Sequence, residues 1–115
     1  MEAEYWEALE KFVASKSIVI DRPKGSTHPR FPGVIYPLDY GYLKDTKSTD
    51  GAEIDLWLGS RKLKNIDGIL VTIDLQKTDL EIKLLIGCSE DEMYEILNLQ
   101  NSGQMRSIIV KRGDI

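Results

Sequence analysis

The acidic residues cluster in two places. Asp50, Glu53 and Asp55 lie within six residues, and Asp74, Asp79 and Glu81 within eight. Side chains two apart on an extended strand point the same way, so Glu53 shares a side with Asp55, and Glu81 with Lys83. Carboxylates brought together repel unless positive charge sits among them. Mg²⁺ supplies that charge, taking carboxylate oxygens, waters and phosphate oxygens into an octahedral shell. Two such ions can clamp the attacking and leaving oxygens of a phosphoryl group. The ordinary alternative is a solvated face on an acidic protein, and spacing alone leaves both open. Asp79, at a hairpin tip, reads as a turn residue.

Phosphate chemistry also needs cations. Arg22, Lys24, Arg30 and Lys83 lie on loops or on a charged strand face. Arg offers a planar fork and Lys a point charge to phosphate oxygens. The phenols of Tyr36, Tyr40 and Tyr42 could donate hydrogen bonds to the same oxygens, although aromatic residues beside Pro37 and Gly41 also suit packing under a turn. His28, in Thr27-His28-Pro29, reads as a surface-loop residue.

The elements that must position these groups follow from periodicity. Residues 1–15 form an amphipathic helix, with Tyr5, Trp6, Leu9, Phe12 and Val13 recurring at helical spacing. This helix is expected to pack on the body. Ile18-Val19-Ile20 is a short strand ended by Asp21-Arg22-Pro23, and 25–33 is an irregular loop. Three alternating strands follow. Ile54, Leu56 and Leu58 make one aliphatic face; Ile69, Val71, Ile73 and Leu75 a second; Leu80, Ile82, Leu84 and Ile86 a third. If these faces form one core, the charged faces converge. Ser89 and Glu92 make a capping box opening a second helix, Gly103 is placed to end it, and 107–110 is a last strand. The expected fold is α+β, mainly β: a small closed or partly closed antiparallel barrel over residues 1–115 as one domain. Closure would remove the edges of such short strands.

Composition narrows the options. The chain has 115 residues, 15 Lys plus Arg and 19 Asp plus Glu, for a net charge of −4. Acidity argues against a general nucleic-acid binder. A third option, an oligonucleotide-binding type of barrel stacking bases on Tyr36, Tyr40 and Trp57, is disfavoured by the same charge. One Cys and one His cannot form a Cys/His zinc cage or an internal disulfide. No apolar run is long enough to span a bilayer and no signal-peptide pattern opens the chain, so no membrane and a cytoplasmic location are expected.

Tyr36-Pro37-Leu38-Asp39-Tyr40-Gly41-Tyr42 followed by Asp50-Gly51-Ala52-Glu53-Ile54-Asp55 resembles the core of the soluble inorganic pyrophosphatases, the Mg²⁺-dependent barrel-fold family. Their signature is Asp-x-Asp-x-x-Asp after a Tyr-Pro-x-x-Tyr-Gly-Tyr or Phe segment. The likeness runs from about residue 17 to 88, taking in Ile18 to Pro23, Asp74 and Glu81-Ile82-Lys83. It implies that Asp50, Asp55, Asp74, Glu81 and Asp21 hold Mg²⁺. It gives Asp50, Asp55 and Lys83 the catalytic work. Lys83 and Tyr40 are expected to contact substrate, with Arg30 and Lys24 as further phosphate-binding cations. The implied partner is pyrophosphate or another phosphate-containing small molecule; a homo-oligomer is left open.

The departures are specific. Ala52 stands where the family has its central Asp, a carboxylate that there bridges metal and helps activate water, so a ligand and a general base are missing. Glu53 is adjacent but alternation turns it the other way. The stretch from Pro23 to Tyr36 is too short for the family's hairpin, and its C-terminal Tyr-Lys pair has no match after Ser89. Two functions follow: Mg²⁺-dependent hydrolysis of pyrophosphate or a related phosphoanhydride, weakened at Ala52, or a non-catalytic domain binding a phosphate ligand or a protein partner.

Overall fold

The computed structural model describes residues 1–113. Helix α1 (Glu2–Ala14) leads into strands β1 (Ile18–Arg22), β2 (Asp39–Leu43), β3 (Ile54–Leu58), β4 (Ile66–Asp74) and β5 (Asp79–Ile86). Helix α2 (Glu90–Leu99) and strand β6 (Met105–Lys111) complete the chain. The six strands form one sheet in the order β1-β2-β3-β5-β4-β6. The mainly β, α+β class agrees with the sequence reading, with two corrections. The sheet is mixed, because β3 and β5 pair in parallel, Leu56 beside Leu84. It is also open, with β1 and β6 at its edges.

Topology and helix placement account for both corrections. The chain leaves β3, passes the place β5 will occupy, forms β4, and returns through the hairpin of residues 75–78 to insert β5 beside β3. Helices lie on both faces, so the sheet buries apolar surface without curling shut. On one face α1 seats Trp6 and Val13 among Leu43, Leu56, Ile66, Leu84 and Ile86. On the other, α2 seats Met93 and Ile96 among Tyr36, Leu38, Trp57, Leu70, Leu85 and Cys88. The expected single aliphatic core is therefore two cores. The face carrying Asp55, Glu81 and Lys83 also supplies Trp57, Leu70 and Leu85 to the second core. The aliphatic face is covered by α1 only near Ile66 and Ile86 and is exposed farther on, at Ile73, Leu80 and Ile82.

Local details explain the ends. The capping box is present: Glu92 N–H donates to Ser89 Oγ at 3.2 Å, and Ser89 N–H to Glu92 Oε1 at 2.8 Å. Helix α2 ends at Leu99, earlier than Gly103, because the Asn101 amide donates to the Leu97 carbonyl and satisfies that end. Gly103, at φ 57°, serves the turn into β6. The Tyr36–Tyr42 segment, expected to be broken by Pro and Gly, supplies most of β2. There Gly41 lets β1 approach so closely that a Cβ would lie 1.8 Å from the Val19 carbonyl oxygen.

Candidate functional site

Pairing across the sheet brings several of the expected groups to one face. Arg22 lies beside Tyr40 and Tyr40 beside Trp57; Tyr42 lies beside Asp55. The β3/β5 register puts Lys83 and Glu81 on the Asp55 side of the sheet. Lys83 is the centre of the group. Its side chain is 13% exposed, its Nζ is 4.0 Å from Glu81 Oε2 and 5.2 Å from the Tyr40 ring centre, and it donates to Gln100 Oε1 at 3.4 Å. Burial lowers its pKa, while Glu81 and Asp55 work to keep it charged.

Asp55 answers in the opposite sense. Burial raises its carboxyl, and the charges of Asp21 and Asp50 raise it further. Lys83 and the Tyr40 hydroxyl partly offset the rise. Tyr40 is held protonated by burial and by Asp55. Around Tyr40 runs a column of rings. Tyr40 packs 4.7 Å from Trp57 and stacks on Tyr36 at 5.7 Å, and His28 lies parallel to Tyr36 at 6.1 Å. Arg22 donates to the Tyr36 hydroxyl at 2.5 Å and lies over its ring, and that hydrogen bond raises the guanidinium pKa. The His28 imidazole is lowered by burial and by Arg22 and Arg30.

The remaining expected residues sit apart from this group. Asp50 is exposed and bound into its own loop, where Oδ1 accepts from Ser48 Oγ and from the Ala52 N–H, which lowers its pKa. Asp74 is a turn acceptor for the N–H groups of Gln76 and Lys77. Asp21 falls at the β1 irregularity between Ile20 and Arg22. Lys24 and Arg30 are exposed on the 23–35 loop; Lys24 N–H donates to Asp39, and Arg30 N–H to His28 Nδ1. Among the described residues, no three Asp, Glu, His or Cys side chains converge closely enough to enclose a metal ion.

Asp55, Asp21 and Asp50 are hard oxygen donors of the kind Mg²⁺ takes, and the charges of Asp21 and Asp50 act on Asp55, but among the described residues their oxygens do not converge on one point.

Three participants carry little local signal. Arg22 is one cation among four in the sequence, and its pairing with Tyr36 depends on a 14-residue return of the chain. His28 looked unpartnered because its stacking partner, Tyr36, lies across the same loop. Gln100 carries no local signal; the end of α2 brings it to Lys83.

A solved structure of an inorganic phosphatase from Anaplasma phagocytophilum superposes on this chain with a TM-score of 0.56 at 14% identity. It covers 82% of this chain and 81% of its own. At that identity the likeness concerns the fold alone. No protein-family model and no curated protein sequence matches the chain. No helix among the described residues is long and apolar enough to cross a membrane.

Proposed function

We propose that this chain is a pyrophosphatase-like domain that binds the Mg²⁺ complex of pyrophosphate, or of a related phosphoanhydride. We further propose that it hydrolyses this ligand far more slowly than a site with a full carboxylate set. The observation that carries the reading is Lys83, a nearly buried amine 4.0 Å from Glu81 and bordered by Tyr40. A lysine desolvated to this degree on an otherwise acidic face is placed for an anion. Asp55, Glu81, Asp21 and Asp50 outnumber Lys83 and Arg22, so a bare pyrophosphate would meet excess negative charge. A divalent cation entering with it removes that conflict.

In this reading Asp55 would hold the Mg²⁺, with waters and the phosphate oxygens supplying its other ligands, and the ion would polarise phosphoryl oxygens when bound. Lys83 and Arg22 neutralise the phosphate oxygens, and Tyr40, kept protonated, holds Asp55 in place through its hydroxyl. The exposed Lys24 and Arg30 attract the anion at longer range. No carboxylate stands at position 52 to take a proton from water, which is why hydrolysis is slow. A second reading, binding without hydrolysis, draws on the lack of a converged three-carboxylate group among the described residues.

Calorimetric titration with pyrophosphate tests the binding claim. Binding is expected with Mg²⁺ present and much weaker without it, with sulfate failing to compete. Equal binding with and without Mg²⁺, or none in either case, would contradict the proposal.

A further inference from the structure

The sheet leaves one large aliphatic surface bare. Cross-strand pairs Ile73–Leu80, Val71–Ile82, Val71–Ile108 and Ile69–Val110 set β4, β5 and β6 side chains in rows on a single face. Ile69 and Leu84 of these rows belong to the core under α1. Beyond the reach of α1 the rows continue uncovered, with Ile73 45%, Ile82 56%, Ile108 62% and Leu80 68% exposed. With Leu75 and Val110, this amounts to on the order of 500 Å² of contiguous apolar surface, at the upper end of what a monomer shows. A standard interface takes about 800 Å² per partner, which the patch and a polar rim would supply.

We propose that this face packs against the same face of a second copy of the chain, related by a two-fold axis that runs the sheets in opposite directions. Charge placement favours this occupant. The hairpin end of the patch carries Arg106, opposite Ile73. Asp74 and Asp79 there belong to the other face by strand alternation. The opposite end is bordered by α1, where Glu2, Glu4 and Glu7 outnumber Lys11 and Glu10 is paired with Arg112. An antiparallel stack sets each basic end over the partner's acidic helix, the self-complementarity a two-fold contact requires.

The sheet edges favour face packing over strand addition. The β1 edge carries Asp21 and Arg22 at a register shift and is followed by Pro23. On β6, the outward N–H and C=O of Ser107 are both taken by the Asn101 side chain, at 3.0 and 3.2 Å. Guarded edges prevent sheet extension, so the uncovered face is the surface left for assembly.

Sedimentation equilibrium on the full chain without ligand tests this independently of the phosphate site. The expected mass is twice the 13.1 kDa of one chain. Ile82→Lys and Ile108→Lys should each give a monomer with an unchanged circular dichroism spectrum, since both side chains are exposed. The milder Ile82→Thr/Ile108→Thr pair, which keeps strand preference, should weaken the dimer. Arg106→Glu should weaken it about tenfold at low salt. A wild-type monomer at concentrations on the order of 100 µM would overturn the proposal. So would an oligomer that both lysine variants leave intact, or association only with an unrelated protein.

Discussion

Replacing Lys83 by Met keeps the length and apolar stem of the side chain and removes its charge. In the wild type, burial lowers the Lys83 pKa, and the charges of Glu81 and Asp55 oppose that fall. Removing one partner of a fully buried pair costs about 3–5 kcal/mol, because the other charge is stranded. Asp55 is only half-buried, can take up water or a proton, and the methionine no longer pays for desolvation. The net loss of stability should therefore be no more than ~1 kcal/mol. Binding should suffer more. A hydrogen bond to a charged group is worth about 1.5–3 kcal/mol, so the Kd for Mg²⁺-pyrophosphate should rise about 10- to 100-fold. A pH signature accompanies this. The raised Asp55 pKa means that the folded chain holds this proton after the unfolded chain has lost it. Its contribution to stability therefore falls as pH rises through the window above the ordinary carboxylate value of 3.8. Without Lys83 that carboxyl rises further and the fall extends to higher pH. Urea denaturation across pH 3.5–7 (roughly the window in which a raised carboxylate titrates) and calorimetry on both proteins supply the readings. If Lys83→Met binds Mg²⁺-pyrophosphate within about twofold of wild type, Lys83 is not the anion site and the reasoning fails.

Three further outcomes follow from the packing. Glu92 accepts from the backbone of both Ser89 and Ser60, which lowers its pKa despite burial; Glu92→Gln should cost about 1–2 kcal/mol at neutral pH. That stabilisation is present above the unfolded value of 4.5 and lost as pH falls through the lower folded value, so the denaturation midpoints of variant and wild type should converge in acid. Gly41→Ala drives a Cβ into the Val19 carbonyl and should destabilise by more than ~3 kcal/mol, read as loss of a cooperative thermal transition; a melting temperature near wild type would refute the close approach. Cys88 is buried and its thiol is pushed up to about 12 by burial, from an ordinary value of 9.0, so a thiol reagent at about pH 8 should react only after denaturant is added.

Elements with strong local signals were legible in the sequence. The α1 stripe of Trp6, Leu9 and Val13, the capping box at Ser89 and the alternation in β3, β4 and β5 are each encoded within a few residues. What escaped depends on long-range arrangement. The parallel β3–β5 pair arises from chain order in space, and alternation reads the same for parallel and antiparallel neighbours. The exposure of Ile73, Leu80 and Ile82 reflects how far α1 extends over the sheet; an apolar row signals a face without saying what covers it. At the site, strand alternation correctly put Glu81 with Lys83, and the β3/β5 register added Asp55. The turn chemistry of Asp50 and Asp74 competed with any ligand role: Asp side chains readily bond backbone N–H groups two or three residues on, and both do so here.

Phosphate release from pyrophosphate in the presence of Mg²⁺, measured on wild type and on Ala52→Asp, tests the central claim most directly. Position 52 is exposed in its loop, so the added carboxylate requires no repacking. Slow release is expected from the wild type, with an increase of at least about 100-fold in Ala52→Asp, the usual contribution of a positioned general base. Rapid turnover by the wild type with no gain from Ala52→Asp would contradict the role given to position 52. No release by either protein, with Mg²⁺-pyrophosphate still bound, would contradict hydrolysis altogether and leave a binding domain.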